Sequence, residues 1–388
     1  MQMIRPSNPL PPSWSWLLPG TSRLFGPPRH WATVEEYARR TGMETRVIEA
    51  AERIIPRRPL VFGDIDPAYS PTGVSTIPPK IVFRLRDGAI YGPDSHLVAP
   101  DDTFLWDTAW HLGRDPASTF RGRSLYRRRR GRPRRRLSGL TAALGSDWAV
   151  GGFGHFVTDA LTRWRLLLRR GYAADDFEHF VLFHPASSAA IRLIESAGVP
   201  IDRLVPYDDA NDLECAELVG TTFPGAVPAT SPASAAWLRG LVRAGCSRDH
   251  LYLTRAGYIR HPANAAEIEG ELAGRGFQTI RGDVGDAVLD ASANARTIIG
   301  VEGANMFNIC FAAPGTRVIV LLPRPGVLPY LPWLCEAAGH ELAVVAAERN
   351  CSADAPIFPI EHVKAALDWA MNGPIEPGVS SRPGERAP

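Results

Sequence analysis

Lysine is almost missing from this chain: of 43 basic residues only Lys80 and Lys364 are lysine, and the rest are arginine. A codon bias in the source genome accounts for such a skew, although arginine's planar fork also suits bidentate recognition of phosphate and carboxylate. Cysteine is scarce as well. The five present (Cys215, Cys246, Cys310, Cys335 and Cys351) are odd in number, lie far apart and form no C-x-x-C pair. That excludes a disulfide framework and a zinc cluster, and leaves them as small buried hydrophobes. No apolar run approaches the roughly 20 residues that span a bilayer. The short patch from Trp14 to Leu18 lacks the continuous core of a signal peptide, so a cytoplasmic protein is expected. Neither a P-loop, a Gly-x-Ser-x-Gly elbow nor a His-Glu-x-x-His helix is present, which removes those nucleotide-, ester- and zinc-dependent chemistries. A one-signed charge is absent too: the net value is +2, so the chain as a whole is no polyanion binder and no nucleic-acid partner is expected.

What is present is an ordinary globular composition, 45% hydrophobic and 22% charged, over 388 residues, a length that suits two domains. The first 60 residues are rich in proline and arginine, with one helix expected over 34–54 before Pro56. From Ile81 to Val98 the pattern alternates with Asp87-Gly88 as the turn, which predicts a β-hairpin. Residues 121–136 follow, opening on Arg121 and closing on Arg136, and ten of these sixteen are arginine. Such a block repels itself and is a solvated loop or a foothold on anionic lipid; beyond Tyr126 it has no aromatic interleaving for base stacking. After Gly151 helices and strands alternate. Helices at 154–170 and 187–197 flank a strand at 180–183, with short strands near Leu204 and Leu218. A Pro/Gly/Ala-rich stretch from Phe223 to Ser234 reads as a linker. A second alternation has strands at 250–254, 277–280, 296–300 and 317–322 and helices at 264–275, 284–293 and 305–312. Repeated βα units of this length imply parallel sheets covered on both faces.

The expected fold class is therefore α/β: two Rossmann-like domains facing a cleft, with a small N-terminal β-hairpin region. Residues 1–120 form the extension with the hairpin, 121–240 the first domain and 245–350 the second. Residues 355–372 form a C-terminal helix packing back on the first domain, and 373–388 a disordered tail.

Three constellations carry chemistry. His155, Asp159 and Arg163 stand at i, i+4 and i+8, one stripe on a helix opened by Gly151, Gly152 and Gly154. A carboxylate one turn from a histidine fixes its tautomer and makes it a plausible general base; the same spacing also describes a helix-surface ion pair. Arg255 ends the strand Leu251-Tyr252-Leu253-Thr254, with Arg260 and Asn264 following, where a guanidinium could clamp a diphosphate. Finally, the β-branched run Thr297-Ile298-Ile299 leads through Gly300 to a tight Glu302-Gly303-Ala304-Asn305 turn and an apolar segment at helical spacing. Strand, small-residue turn and helix aim backbone N–H groups at an anion, or else form an ordinary βα loop. Asp64-Ile65-Asp66 imitates a metal-binding pair but lies in a proline-rich region before any βα unit, and is set aside.

Together these segments resemble glycosyltransferase family 61, in its bacterial polysaccharide-type members. The match runs in the family's order. First come Ser138-Gly139-Leu140 and His155-Phe156-x-x-Asp159-x-Leu161-x-Arg163. Leu251-Tyr252-Leu253-Thr254-Arg255 with Arg260 and Asn264 comes second. Third is Gly300-x-x-Gly303-Ala304-Asn305-x-x-Asn308-x-x-Phe311-x-x-Pro314-Gly315-Thr316. Glu302 stands where the family usually has histidine. The resemblance implies a GT-B architecture and an inverting, metal-independent enzyme that moves a sugar from a nucleotide-sugar to a glycan or polysaccharide acceptor. It needs no cofactor beyond the nucleotide-sugar substrate. The first domain would then face the acceptor and the second would bind the donor. His155 with Asp159 is the implied base, with Glu302 as rival; Arg255, Arg260, Gly303, Ala304, Asn305 and Asn308 would hold the donor, and Arg163 would lie on the acceptor side. The arginine block would make a peripheral contact with the anionic inner membrane. Two other readings stay open: a GT-B-like nucleotide-sugar epimerase or phosphorylase, and a non-catalytic scaffold of a polysaccharide-synthesis complex.

Overall fold

The computed structural model describes residues 30–65, 74–92, 94–109, 134–208, 211–226, 229–245, 249–281, 285–323, 330–349 and 351–372. The tail 373–388 and residues 121–133 of the arginine block lie outside these. Two compact units emerge. The first takes residues up to Ile54, Val74–Leu241 and Asp283–Asp286; the second takes Ile55–Gly73, Val242–Gly282 and Ala287 onward.

The first unit is built on a mixed sheet, not the uniform βα alternation expected. Its order is His30–Ala32, Thr103–Leu105, His96–Val98, Lys80–Tyr91, Asp212–Thr221, Arg134–Ala143 and His179–Val181, and Thr45–Glu49 also pairs with Lys80–Tyr91. The strands between 80 and 105 are joined by connections too short for a crossover, so they pair antiparallel. The other half is parallel: Arg134–Ala143 lies between His179–Val181 and Asp212–Thr221. Within that half the second strand falls on one side of the first and the third on the other. That reversal makes a switch point at their carboxyl ends.

The N-terminal segment departs from expectation in two ways. The helix stops at Thr41, because Gly42 adopts φ 74° and caps it, and Thr33 and Glu36 close a capping box at its start. The β-branched residues beyond it form Thr45–Glu49 instead of continuing the helix. Asp87-Gly88 is not a turn either. Both lie inside the twelve-residue strand Lys80–Tyr91, held through by its pairing with Asp212–Thr221, and the hairpin closes at residues 92–95. Of the range 1–120, the described strands between His30 and Leu105 are not set apart as an extension: most belong to the first sheet, and Leu60–Phe62 joins the second.

The expected helix runs from Phe153 to Arg170, but Phe156–Leu161 within it is wound as a π-helix with all six residues buried. Single π-turns cluster at functional sites. Its stripe of Phe156, Ala160, Trp164 and Leu167 is fully buried, and Trp164 sets its edge against Phe177 and Phe180 at 5.9 and 5.5 Å.

The second unit carries a wholly parallel six-stranded sheet in the order Phe277–Arg281, Asp249–Thr254, Ala295–Val301, Arg317–Leu322, Glu341–Ala346 and Leu60–Phe62. Alternate residues enter each face. Tyr252, Ile299, Val301, Ile319, Leu321 and Val345 pack with the helices Ala265–Gly274 and Ile360–Asn372, while Leu251, Leu253, Ile298, Val318 and Val320 are buried on the opposite face. Two-sided burial explains why Arg317–Leu322 reads as an unbroken apolar run after its arginine. The C-terminal helix covers this sheet rather than the first unit, since its stripe of Val363, Ala366, Leu367 and Ala370 finds its apolar partners here. Strands one to five of the second alternation stand in the order 2-1-3-4-5. The doubly wound switch point thus falls between the carboxyl ends of Asp249–Thr254 and Ala295–Val301.

Candidate active site

Each unit carries its own polar cluster at its switch point. In the second, Thr254 ends the first strand and Arg255 follows at once. The Arg255 Nε donates to the Ile259 carbonyl at 2.9 Å, and one terminal nitrogen lies 3.4 Å from Asn305 Oδ1. Asn305 in turn donates to the Leu253 carbonyl at 3.2 Å, which ties the loop after the third strand to the first. Gly303 sits between them at φ 150° and ψ −171°, a conformation essentially reserved for glycine. A β-carbon there would also collide with the Arg255 guanidinium. The backbone alone requires glycine here, and the guanidinium would have to shift to admit a β-carbon.

The segment expected as an α-helix from 305 is a tighter 3₁₀ helix, Ala304–Phe311. Ala304 is exposed at its start. Asn308 is completely buried and donates to the Asn305 carbonyl at 2.8 Å, so it braces this turn from inside rather than facing a ligand.

Glu302 is 6% exposed, and its Oε2 accepts from Arg260 at 2.8 Å. Arg260 itself takes a left-handed φ of 66° and is anchored by its N–H to the Asp354 carbonyl at 2.8 Å. Burial raises the Glu302 pKa from 4.5 to about 7, outweighing the opposing pull of Arg260 and Arg255. Three loops therefore converge at this switch point, bringing two guanidinium groups, one carboxyl and a glycine-flanked backbone together. Asn264, counted among the clamp residues, instead bonds to the main chain of Phe358 through both amide atoms.

In the first unit, the loop after Arg134–Ala143 leads into the helix that begins at Phe153. The His155 Nδ1 lies 2.7 Å from Asp159 Oδ2, and the Thr158 hydroxyl donates to the other carboxylate oxygen at 2.7 Å. Burial disfavours the charged ring, but the hydrogen bond and charge of Asp159, with the charge of Asp147, outweigh it and raise the His155 pKa. The turn carrying Asp147 and Trp148 packs beside this dyad: a β-carbon on Gly152 would lie 2.9 Å from the Trp148 carbonyl oxygen and 3.4 Å from the His155 ring.

Arg163 faces no acceptor. It is 2% exposed, and its guanidinium donates to the carbonyls of Asp159, Thr221 and Thr108 at 3.2, 3.0 and 2.5 Å. Burial lowers its pKa to about 10. Its role is to lock the π-turn to the end of Asp212–Thr221. The last arginines of the block are likewise committed within the sheet, Arg134 to Glu214 at 2.5 Å and Arg136 to Asp87 at 3.0 Å. Asp64 pairs with Arg349.

Sequence reasoning missed the buried pair of His96 and Asp147, whose Nε2 and Oδ1 are 3.1 Å apart with neither side chain exposed. Together with Asp94 they place metal-ligand-type atoms within 4.8 Å of one another, the one such grouping among the described residues. Asp147 is far along the chain from Asp94 and His96, so no spacing advertises the three together.

A doubly wound domain with guanidinium groups and a glycine turn at its switch point belongs to the class that holds an anionic ligand there. Residues 153–319, which run from the His155 helix through the Glu302 turn, match the family model Glycosyltransferase 61. Over this segment the chain is similar to glycosyltransferase family 61, which supports a glycosyltransferase. No curated protein gives a match. Among the described residues no helix is long and apolar enough to cross a membrane.

Proposed function

We propose that the protein is an inverting, metal-independent glycosyltransferase of the GT-B type, moving a sugar from a nucleotide-sugar to a hydroxyl of a glycan or polysaccharide acceptor. The observation that carries this reading is the convergence of Arg255, Gly303 and Asn305 at the switch point of the parallel sheet. Inversion needs a base on the acceptor hydroxyl and positive charge on the departing diphosphate. Arg255, with backbone N–H groups after Gly303, supplies the second. His155 supplies the first: with Nδ1–H held by Asp159, the proton is taken at Nε2, and the carboxylate stabilises the imidazolium.

Glu302 is the weaker base, because only 8% of its side chain is exposed and Arg260 already occupies its carboxylate, whereas 26% of the His155 side chain is exposed. On this reading the protein is cytoplasmic and meets anionic lipid through the block 121–136, which its density of arginine supports.

Calorimetric titration with a panel of nucleotide-sugars and nucleoside diphosphates tests the donor site. Arg255→Ala should weaken binding by roughly 1.5–3 kcal/mol, the worth of a hydrogen bond to a charged group. Wild-type protein that binds none of the panel, or a folded Arg255→Ala variant with unchanged affinity, would refute the reading. With a donor in hand, an anomeric configuration retained in the product would refute inversion. Loss of activity on chelation would refute metal independence and point to Asp94, His96 and Asp147.

A further inference from the structure

The loop that follows the first strand of the second unit also presents an aromatic platform that nothing in the donor reading above uses. Tyr258 is 44% exposed, and the Arg281 guanidinium lies over its ring at 5.0 Å while donating to its hydroxyl at 3.0 Å. Arg281 ends Phe277–Arg281, the strand paired in parallel with Asp249–Thr254 on the side away from the switch point. The platform therefore stands at the carboxyl edge of the sheet, with Arg281 two strands along from the Gly303 turn, a displacement of about 10 Å.

Its attachment is rigid. The Tyr258 N–H donates to the Arg255 carbonyl at 2.9 Å, closing a turn with Gly257 at φ 84°. The Arg255 side chain bonds back to Ile259, and Arg260 is fixed to both Asp354 and Glu302. The residue that would clamp the diphosphate thus also sets the position of the ring three residues on.

We propose that Tyr258, backed by Arg281, is the subsite that stacks the nucleobase of the donor; this rests on the diphosphate lying at Arg255 and Gly303. A half-exposed ring held in place by a cation is a flat surface for a heteroaromatic base, and the ribose spans the step from diphosphate to ring. Stacking of this kind contributes about 1–3 kcal/mol per base, or roughly five- to 150-fold in affinity. Because every base has a π-face, the platform confers nucleotide dependence rather than choice among bases.

The test compares UDP, GDP, CDP and ADP with inorganic pyrophosphate, titrated calorimetrically into the full chain. Wild-type protein should bind the best nucleoside diphosphate at least about tenfold more tightly than pyrophosphate. Tyr258→Ala should bring that ratio close to one while leaving pyrophosphate affinity unchanged, and Tyr258→Phe should restore most of it. Equal wild-type affinity for the best nucleoside diphosphate and pyrophosphate, or a ratio untouched by Tyr258→Ala, overturns the stacking subsite and leaves the diphosphate site standing. Parallel loss of pyrophosphate binding in Tyr258→Ala also overturns it, since the ring would then be supporting the loop. Wild-type protein that binds neither class of ligand refutes the donor-site reading itself.

Discussion

Glu302 offers a direct probe of the charge balance at the switch point. Its carboxyl titrates at 4.5 when solvated and at about 7 in the folded protein, because burial costs the anion more than Arg260 and Arg255 return. Between those values the folded state holds more protons than the unfolded chain, so stability is complete below pH 4.5 and declines as pH rises through 7. At about 1.4 kcal/mol for each pH unit separating the two pKa values, the loss amounts to roughly 3 kcal/mol. Glu302→Gln keeps the shape and removes the titration. Urea unfolding of wild type and variant from pH 4.5 to 8, compared pairwise so that other titrating groups cancel, should show the glutamine protein gaining that margin as pH rises. Nucleoside diphosphate affinity should follow: ionised Glu302 repels the diphosphate, so wild-type binding weakens above pH 7 and that of the variant does not. A stability difference that is flat with pH, or that grows on acidification, would mean the Arg260 ion pair prevails over burial, and the reasoning would fail.

Further outcomes follow from the same geometry. The raised His155 pKa places the rise of kcat/KM with pH above the 6.5 of a free imidazole; Asp159→Asn should move that limb to lower pH and lower the rate about 10²–10⁴-fold, and an unmoved profile would dissociate the dyad from catalysis. Gly303→Ala meets both a glycine-only backbone and the Arg255 guanidinium, so it should cost about 1–3 kcal/mol in stability and weaken nucleotide binding together, whereas normal binding would place the ligand elsewhere. Arg163→Ala should lower stability by roughly 3 kcal/mol or more by orphaning three buried carbonyls; a stable variant with only a raised acceptor KM would restore its acceptor-side role.

Periodicity made the second sheet legible. Strands buried on both faces read as short apolar runs, and helices of about two to three turns between them set the parallel crossovers, so most elements after Gly151 lie within a few residues of where the sequence puts them. The order 2-1-3-4-5 was not legible, because strand neighbours depend on contacts between segments far apart in the chain. Residues 34–54 misled for a related reason: the Thr33–Glu36 box, the Gly42 stop and the β-branched residues beyond were all present, but only a strand at 80–91 makes Thr45–Glu49 extended. Asp87-Gly88 has the composition of a turn, and the long pairing on either side overrides it.

The site divides along the same line. Sequence alone determined which residue types could act: a histidine one turn from a carboxylate, an arginine at a strand's end, a glycine turn after a strand. Their local spacing fixes the His155–Asp159 contact, since residues four apart on one helical face must meet. Tertiary structure decided what each could do. Arg163 shares the stripe of His155 yet is buried against three carbonyls, two of them from distant segments. Glu302 is an ordinary surface-type residue by sequence, and its pKa near 7 exists only because the sheet buries it. His96 meets Asp147, and Arg281 meets Tyr258, solely through the way the strands are ordered. Desolvation and long-range neighbours set the chemistry of an ionisable group, and neither is written in the residues beside it.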